Sequence, residues 1–156
     1  MKLSYVQIFI LRVAIAGLFL SLGINKYHEG WLTSPEQLAG SLNSFRQHAS
    51  GAQLTYLDHV AIPYISIWSK LMTMGEFAVG VSMLLGLLVR LSSAVAIFMV
   101  INFHAATGNL FSLNFFGSPW AALLIAGLLA MFLSRAGRWI GIDTLLAKAN
   151  AKGVLW

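Results

Sequence analysis

Between Pro63 and Gly108 the chain carries two long apolar segments separated by one charged residue, Arg90. They read PYISIWSKLMTMGEFAVGVSMLLGLLV and LSSAVAIFMVINFHAATG. Each is long enough to cross a bilayer as a helix, which takes about 20 predominantly apolar residues. With Arg90 the only charge between them, the turn is expected there, at a membrane surface. Glu76 lies fourteen residues before Arg90 and His104 fourteen after it. At about 1.5 Å per residue both would sit roughly 21 Å above the turn, inside the hydrocarbon. Two ionisable side chains at equal depth on neighbouring helices are positioned to face each other.

Composition points the same way. Hydrophobic residues make up 58% of the 156 positions and charged residues 10%, against about 25% charged in soluble domains. So little charge could not cover a soluble globule of this size, and the chain reads as a single integral membrane domain. The net charge of +5 is not a nucleic-acid signature, because the basic residues form no run or stripe. Arg135, Arg138, Lys148 and Lys152 gather at one end instead, as topology signals and a contact for lipid headgroups. The absence of cysteine excludes disulfides, c-type haem attachment, iron–sulfur ligation and thiol chemistry by this chain. Any redox chemistry it serves needs a bound cofactor or a partner subunit.

The first span is expected over about residues 5–24. A signal peptide has a similar pattern, but Arg12 interrupts the apolar core, which favours a retained transmembrane helix. Gly17 and Ser21 offer a small face for close helix approach. Residues 26–60 form the main polar segment. Ser34-Pro35-Glu36-Gln37 is a helix start with a serine cap, and Leu38, Leu42, Phe45 and Ala49 follow at helical spacing. This predicts an amphipathic helix on the outer membrane surface with Trp31 as interfacial anchor, or a lid on the bundle. The next spans are expected over 63–89 and 91–108, with Ala78, Ser82 and Gly86 as a small-residue packing seam. A short turn follows, interfacial through Phe111, Phe115 and Phe116, then a last span over 119–134 and a surface tail over 140–149. Lys2, Arg90, Arg135, Arg138, Lys148 and Lys152 fall on one side, against Lys26 and Arg46 on the other. The positive-inside rule then places both termini in the cytoplasm of a bacterial-type inner membrane, with 26–60 outside. The expected fold is all-α: a four-helix transmembrane bundle with one outer interfacial helix.

Arg12, Gly23 and Lys26 around the first helix, and Glu76, Gly80, Gly86 and Arg90 in GEFAVGVSMLLGLLVR, carry a resemblance to a known family. The chain resembles the DoxX family of small four-helix membrane proteins, which includes the DoxD-type small subunit of thiosulfate:quinone oxidoreductase. The resemblance covers most of the chain and implies a membrane subunit linked to quinone or to redox-defence complexes.

The polar residues within the spans are the candidate site. An unpaired ionised glutamate in mid-membrane costs roughly 2.5–3.5 kcal/mol or more. Glu76 is thus either a protonated group hydrogen-bonded to a neighbouring helix or a proton acceptor beside a quinone. His104 is a partner for Glu76, a proton relay, or an axial ligand to haem or a chlorophyll-type pigment. Haem with two axial histidines would need a second histidine at that depth, and the spans hold none. Arg12 and Lys70 would edge the site or snorkel to headgroups, and Asn102 reads as interhelical glue or a cofactor contact. His28, Glu29, Asp58 and His59 form two polar pairs that could make a metal or anion site at the outer mouth, although they lack a zinc-type spacing and no metal is expected.

The leading expectation is a non-catalytic or at most co-catalytic membrane subunit of a quinone-linked redox complex, with Glu76 and His104 as the chemical groups and His104, Arg12, Asn102 and Lys70 toward the cofactor. Its partners would be membrane lipid and other subunits. The alternative is an accessory subunit of a respiratory or photosynthetic assembly that holds lipid or pigment. A small-molecule transporter comes third, since no inverted repeat or broken-helix pair is evident.

Overall fold

The computed structural model describes residues 5–111, 119–138, 140–149 and 153. Lys2, Phe115, Phe116 and Lys152 lie outside the described residues. Among those described there are seven α-helices and no strand: α1 (Tyr5–His28), α2 (Glu36–Gln47), α3 (Gly51–Tyr56), α4 (Ile65–Leu85), α5 (Val89–Ala106), α6 (Pro119–Ser134) and α7 (Asp143–Ala149). Two of them, α1 and α5, are long and apolar enough to cross a membrane. Helix α4 has 21 residues but carries Lys70 and Glu76, and α6 has only 16.

Helix α1 runs antiparallel along α4, and α5 packs against both α4 and α6. The α1–α4 seam is set by two glycines. A Cβ on Gly23 would fall 2.8 Å from the backbone nitrogen of Phe77, and one on Gly80 would fall 2.6 Å from Leu20 Cγ. Neither contact is possible for a larger residue, so these positions fix how closely the backbones approach. The seam differs from the expected stripe. Gly17, Ser21 and Ala78 face outward, and nothing lies within 4 Å of a Cβ on Gly17. The register of the two helices decides which small residues close the seam: Gly23 falls on the Phe77 backbone and Gly80 on Leu20, while Ala78, next to Phe77 in the chain, points away. Beneath the seam Ile15, Phe19, Val79, Met83, Ala96, Leu128 and Met131 form one core.

The α4–α5 turn lies at Gly86–Leu88, not at Arg90, which sits in the first turn of α5. Gly86 adopts φ +66°, a conformation that glycine enters at no steric cost. The carboxylate of Asp143, at the start of α7, accepts hydrogen bonds from the backbone N–H groups of Leu88 (2.7 Å) and Val89 (3.0 Å). It thereby satisfies two of the donors that α5 leaves open at its N-terminus. The tail is therefore not a surface helix lying loose. Asp143 is buried, Ile142 N–H donates to Leu85 O, and Asp143 N–H donates to Gly86 O. Arg12 closes the same end: its guanidinium is buried, donates to Ala136 O at 3.0 Å, and interacts electrostatically with Asp143.

At the opposite end α2, α3 and a π-helical turn (Leu57–Ala61) cover the bundle. Pro35, rather than Ser34, occupies the position before α2, while Ser34 Oγ accepts the Glu36 N–H at 3.3 Å. Leu38 and Leu42 turn inward and pack with Leu57, Ala61 and Ala106. Of the two sequence expectations for this helix, the packing is that of a lid.

Enlarging the seam tests this fold. Gly23→Leu or Gly80→Leu should lower the detergent-solubilised melting temperature by the equivalent of about 1–3 kcal/mol or more, while Gly17→Leu should leave it unchanged. Asp143→Ala, which orphans two buried N–H groups, should cost about 1–3 kcal/mol for each. Thermal unfolding followed by circular dichroism measures both.

Candidate functional site

Helix α1 does not end near Ile24 but continues to His28, so Lys26 lies in its last turn. Side chains lean towards their helix N-terminus. Across an antiparallel seam this sends Lys26 down and Glu76 up, and the two meet. The ammonium donates to Glu76 Oε1 at 2.7 Å and to Oε2 at 2.6 Å. Glu76 is buried, and Lys26 lies 5.3 Å from the Trp31 ring centroid, in cation–π range. Paired in this way, a carboxylate among apolar helices avoids most of the penalty of an isolated charge.

With the turn at Gly86–Leu88, Glu76 and His104 are not at equal depth. Counted from Leu87, Glu76 is eleven residues up α4 and His104 seventeen up α5, which places His104 roughly 9 Å further out. Both nevertheless line one cavity of about 500 Å³, within the range that holds small organic ligands. Its floor is the Lys26–Glu76 pair; Phe19, Met99 and Leu124 make apolar walls. Asn102 also lines it, accepting a 2.7 Å hydrogen bond from the Tyr56 hydroxyl and donating to Phe98 O at 2.9 Å.

The lid forms the roof and is tied down at three points. Tyr56 bonds Asn102, Gln53 Nε2 donates to Ala106 O at 3.0 Å, and Ser69 Oγ donates to Trp31 O at 2.5 Å. Burial holds the Tyr56 phenol above its ordinary pKa, so it stays a donor. On the outer face Asp58 pairs with Arg46 at 2.6 Å, which holds its carboxyl below the usual range. Glu29 accepts from Trp31 Nε1 at 2.8 Å. The outer polar pairs are thus engaged elsewhere, and no group of three or more His, Cys, Asp or Glu side chains gathers among the described residues.

Of the residues expected from sequence, Glu76, His104 and Asn102 come together at this cavity. Arg12 does not join them: it is bound at the opposite end of α1, rather than snorkelling to headgroups. Lys70 is exposed and lies outside the cavity lining. Lys26, Trp31 and Tyr56 are additions. The signal for Lys26 is its place with Glu76 in the family-like pattern; Tyr56 has none, lying in the polar 26–60 segment outside the expected spans.

Removing one partner of the ion pair should be worse than removing both. Lys26→Met should cost about 3–5 kcal/mol by leaving Glu76 uncompensated, and adding Glu76→Gln should recover a large part of that loss. A double-mutant cycle on thermal unfolding measures the coupling.

Searches of curated proteins and of solved structures return no match. One family model does match, over residues 7–154, and it describes the small subunit DoxD of thiosulfate:quinone oxidoreductase (TQO). The match is to the DoxD type rather than to DoxX itself. Since it spans nearly the whole chain, cavity and both ends included, the chain belongs to the DoxD family.

Proposed function

We propose that this chain is an integral membrane subunit of a quinone-linked oxidoreductase and that the cavity beneath the lid is its quinone or proton site. The observation that carries the reading is the Lys26–Glu76 pair on the floor of an apolar cavity also lined by His104 and Asn102, in a chain of the DoxD family. The residues suit such a ligand: a largely apolar cavity of sufficient size with a few hydrogen-bonding groups spaced around it. A bound quinone supplies a two-electron, two-proton carrier. The chain supplies positioning and proton exchange, with Glu76 as the exchanging carboxylate, Lys26 holding it in place, and His104 further out on the same wall. The electrons come from a partner subunit, because the chain contains no cysteine and no redox side-chain centre.

In this reading α1, α4, α5 and α6 all span the bilayer, α4 and α6 completing what α1 and α5 begin. Lys70 on α4 is exposed and reaches for the outer interface, and flanking residues extend α6. The end carrying Arg12, Arg90, Arg138 and Lys148 faces the cytoplasm, and the lid faces outward. Lipid and the other subunits of the complex are its partners.

Glu76→Gln in the intact complex tests the assignment. Turnover with quinone should fall by about a hundredfold or more, the scale of a lost acid–base group, while the complex still assembles. Unchanged turnover would reduce Glu76 to a packing group.

A further inference from the structure

We infer that the cavity takes an uncharged hydrogen-bonding ring carried on a hydrocarbon tail, admitted sideways from the bilayer between α1 and α6, with Lys26 as the residue that recognises the ring. The inference rests on the membrane-spanning reading above and deepens it by naming the entry route and the group that selects the head.

The route follows from residues that line the cavity and yet remain accessible, since these mark its mouth. Leu22 is 36% exposed, Phe103 52% and Trp120 84%. These three are large and apolar, as a mouth facing hydrocarbon requires, whereas Ser41 on α2 is the exposed lining residue that is polar. The α1–α6 contact lies deeper, where a Cβ on Gly127 would meet Ile15 Cδ1 at 3.3 Å. Leu22 is seven residues beyond Ile15 on α1, and Trp120 is seven residues before Gly127 on α6. Both are therefore about 10 Å further out, and there they border the cavity. The lid, held through Tyr56, Gln53 and Ser69, covers the end towards water.

The head chemistry follows from the floor. Lys26 and Glu76 neutralise each other, so a ligand bearing a net charge would bring it uncompensated into an apolar enclosure, which is costly. An ammonium has three N–H donors. Two are directed at Glu76 Oε1 and Oε2, and the third is available to a carbonyl or hydroxyl oxygen of a neutral ring. Trp31 lies beside that position, its ring centroid 5.3 Å from the ammonium, and Phe19 and Trp68 line the same cavity. A phospholipid shares the tail but carries charge on its head, and is the other bilayer source to be separated.

Photolabelling of the purified complex in phosphatidylcholine nanodiscs tests both parts. Three probes are used: a quinone with a diazirine at the end of its alkyl tail, the same quinone with the diazirine on the ring, and phosphatidylcholine with a diazirine on one acyl chain. Mass spectrometry of the cross-linked peptides should place the tail label on the Leu22 and Trp120 segments. The ring label should fall around Trp31, Trp68 and Met72. Lys26→Met should raise the half-saturating concentration of ring labelling about tenfold, as expected for one lost charge-assisted hydrogen bond, and Lys26→Arg should restore it in part. A tail label on α2 or α3, full displacement of the ring probe by phosphatidylcholine, or no saturable labelling would overturn the inference. Its failure is distinct from that of the functional reading. Mouth labelling with unchanged turnover in Glu76→Gln leaves this inference standing and removes the catalytic one. Lid labelling with lost turnover does the reverse.

Discussion

The Lys26–Glu76 ion pair depends on, and explains, the close approach of α1 and α4. Two charges can be held among apolar helices only if they meet, and they meet only if α1 and α4 approach until Gly23 touches the Phe77 backbone and Gly80 touches Leu20. The same seam fixes the vertical register of the two helices. That register sets where Lys26 ends up, and so where the cavity floor lies. Trp68 on α4 stands beyond the end of α1 as a result, and packs with the lid residues Leu38, Leu42 and Leu57.

Two ends of very different character follow. Near the α4–α5 turn, the polar groups are consumed by structure: Asp143 caps α5, Arg12 binds Ala136 O, and Gly86 and Gly141 lie too close for any side chain. No room is left for a ligand there. Under the lid the polar groups are few, spaced out and set around a space. Asn102 and Tyr56 hold the roof, His104 lines the wall, and only Lys26 and Glu76 bring charge. Rigidity at one end and space at the other is the arrangement expected of a helical bundle that houses a ligand between its helices.

The sequence reveals which side chains matter more readily than which of them meet. Glu76, His104 and Asn102 stand out because ionisable and amide groups are rare in apolar spans, and all three reach the cavity. The partner of Glu76 is not legible in the same way. Asn25 and Lys26 look like the end of a helix, yet α1 runs on to His28 and stops before Gly30, at φ +80°. Small residues mislead for a related reason. Ala78 and Gly80 are equivalent on paper, and only the position of Leu20 on another helix decides that Gly80 lies in the seam. Arg90 seemed the natural turn because it is charged; the backbone turns instead at Gly86, where a left-handed conformation is cheap, and Arg90 donates to Phe132 O at 3.2 Å from within α5. Periodicity and charge carry local structure well. Helix register, which builds the site, is a property of pairs.

The central claim is that Glu76 changes its protonation or hydrogen bonding when quinone is reduced in the complex. Redox-induced infrared difference spectroscopy on the purified complex measures this directly. The account predicts a carboxyl band in the reduced-minus-oxidised spectrum that disappears in Glu76→Gln and shifts when Lys26 is replaced by Arg. A difference spectrum with no carboxyl band, or one that Glu76→Gln leaves untouched, would contradict it and make the ion pair a structural clamp between α1 and α4.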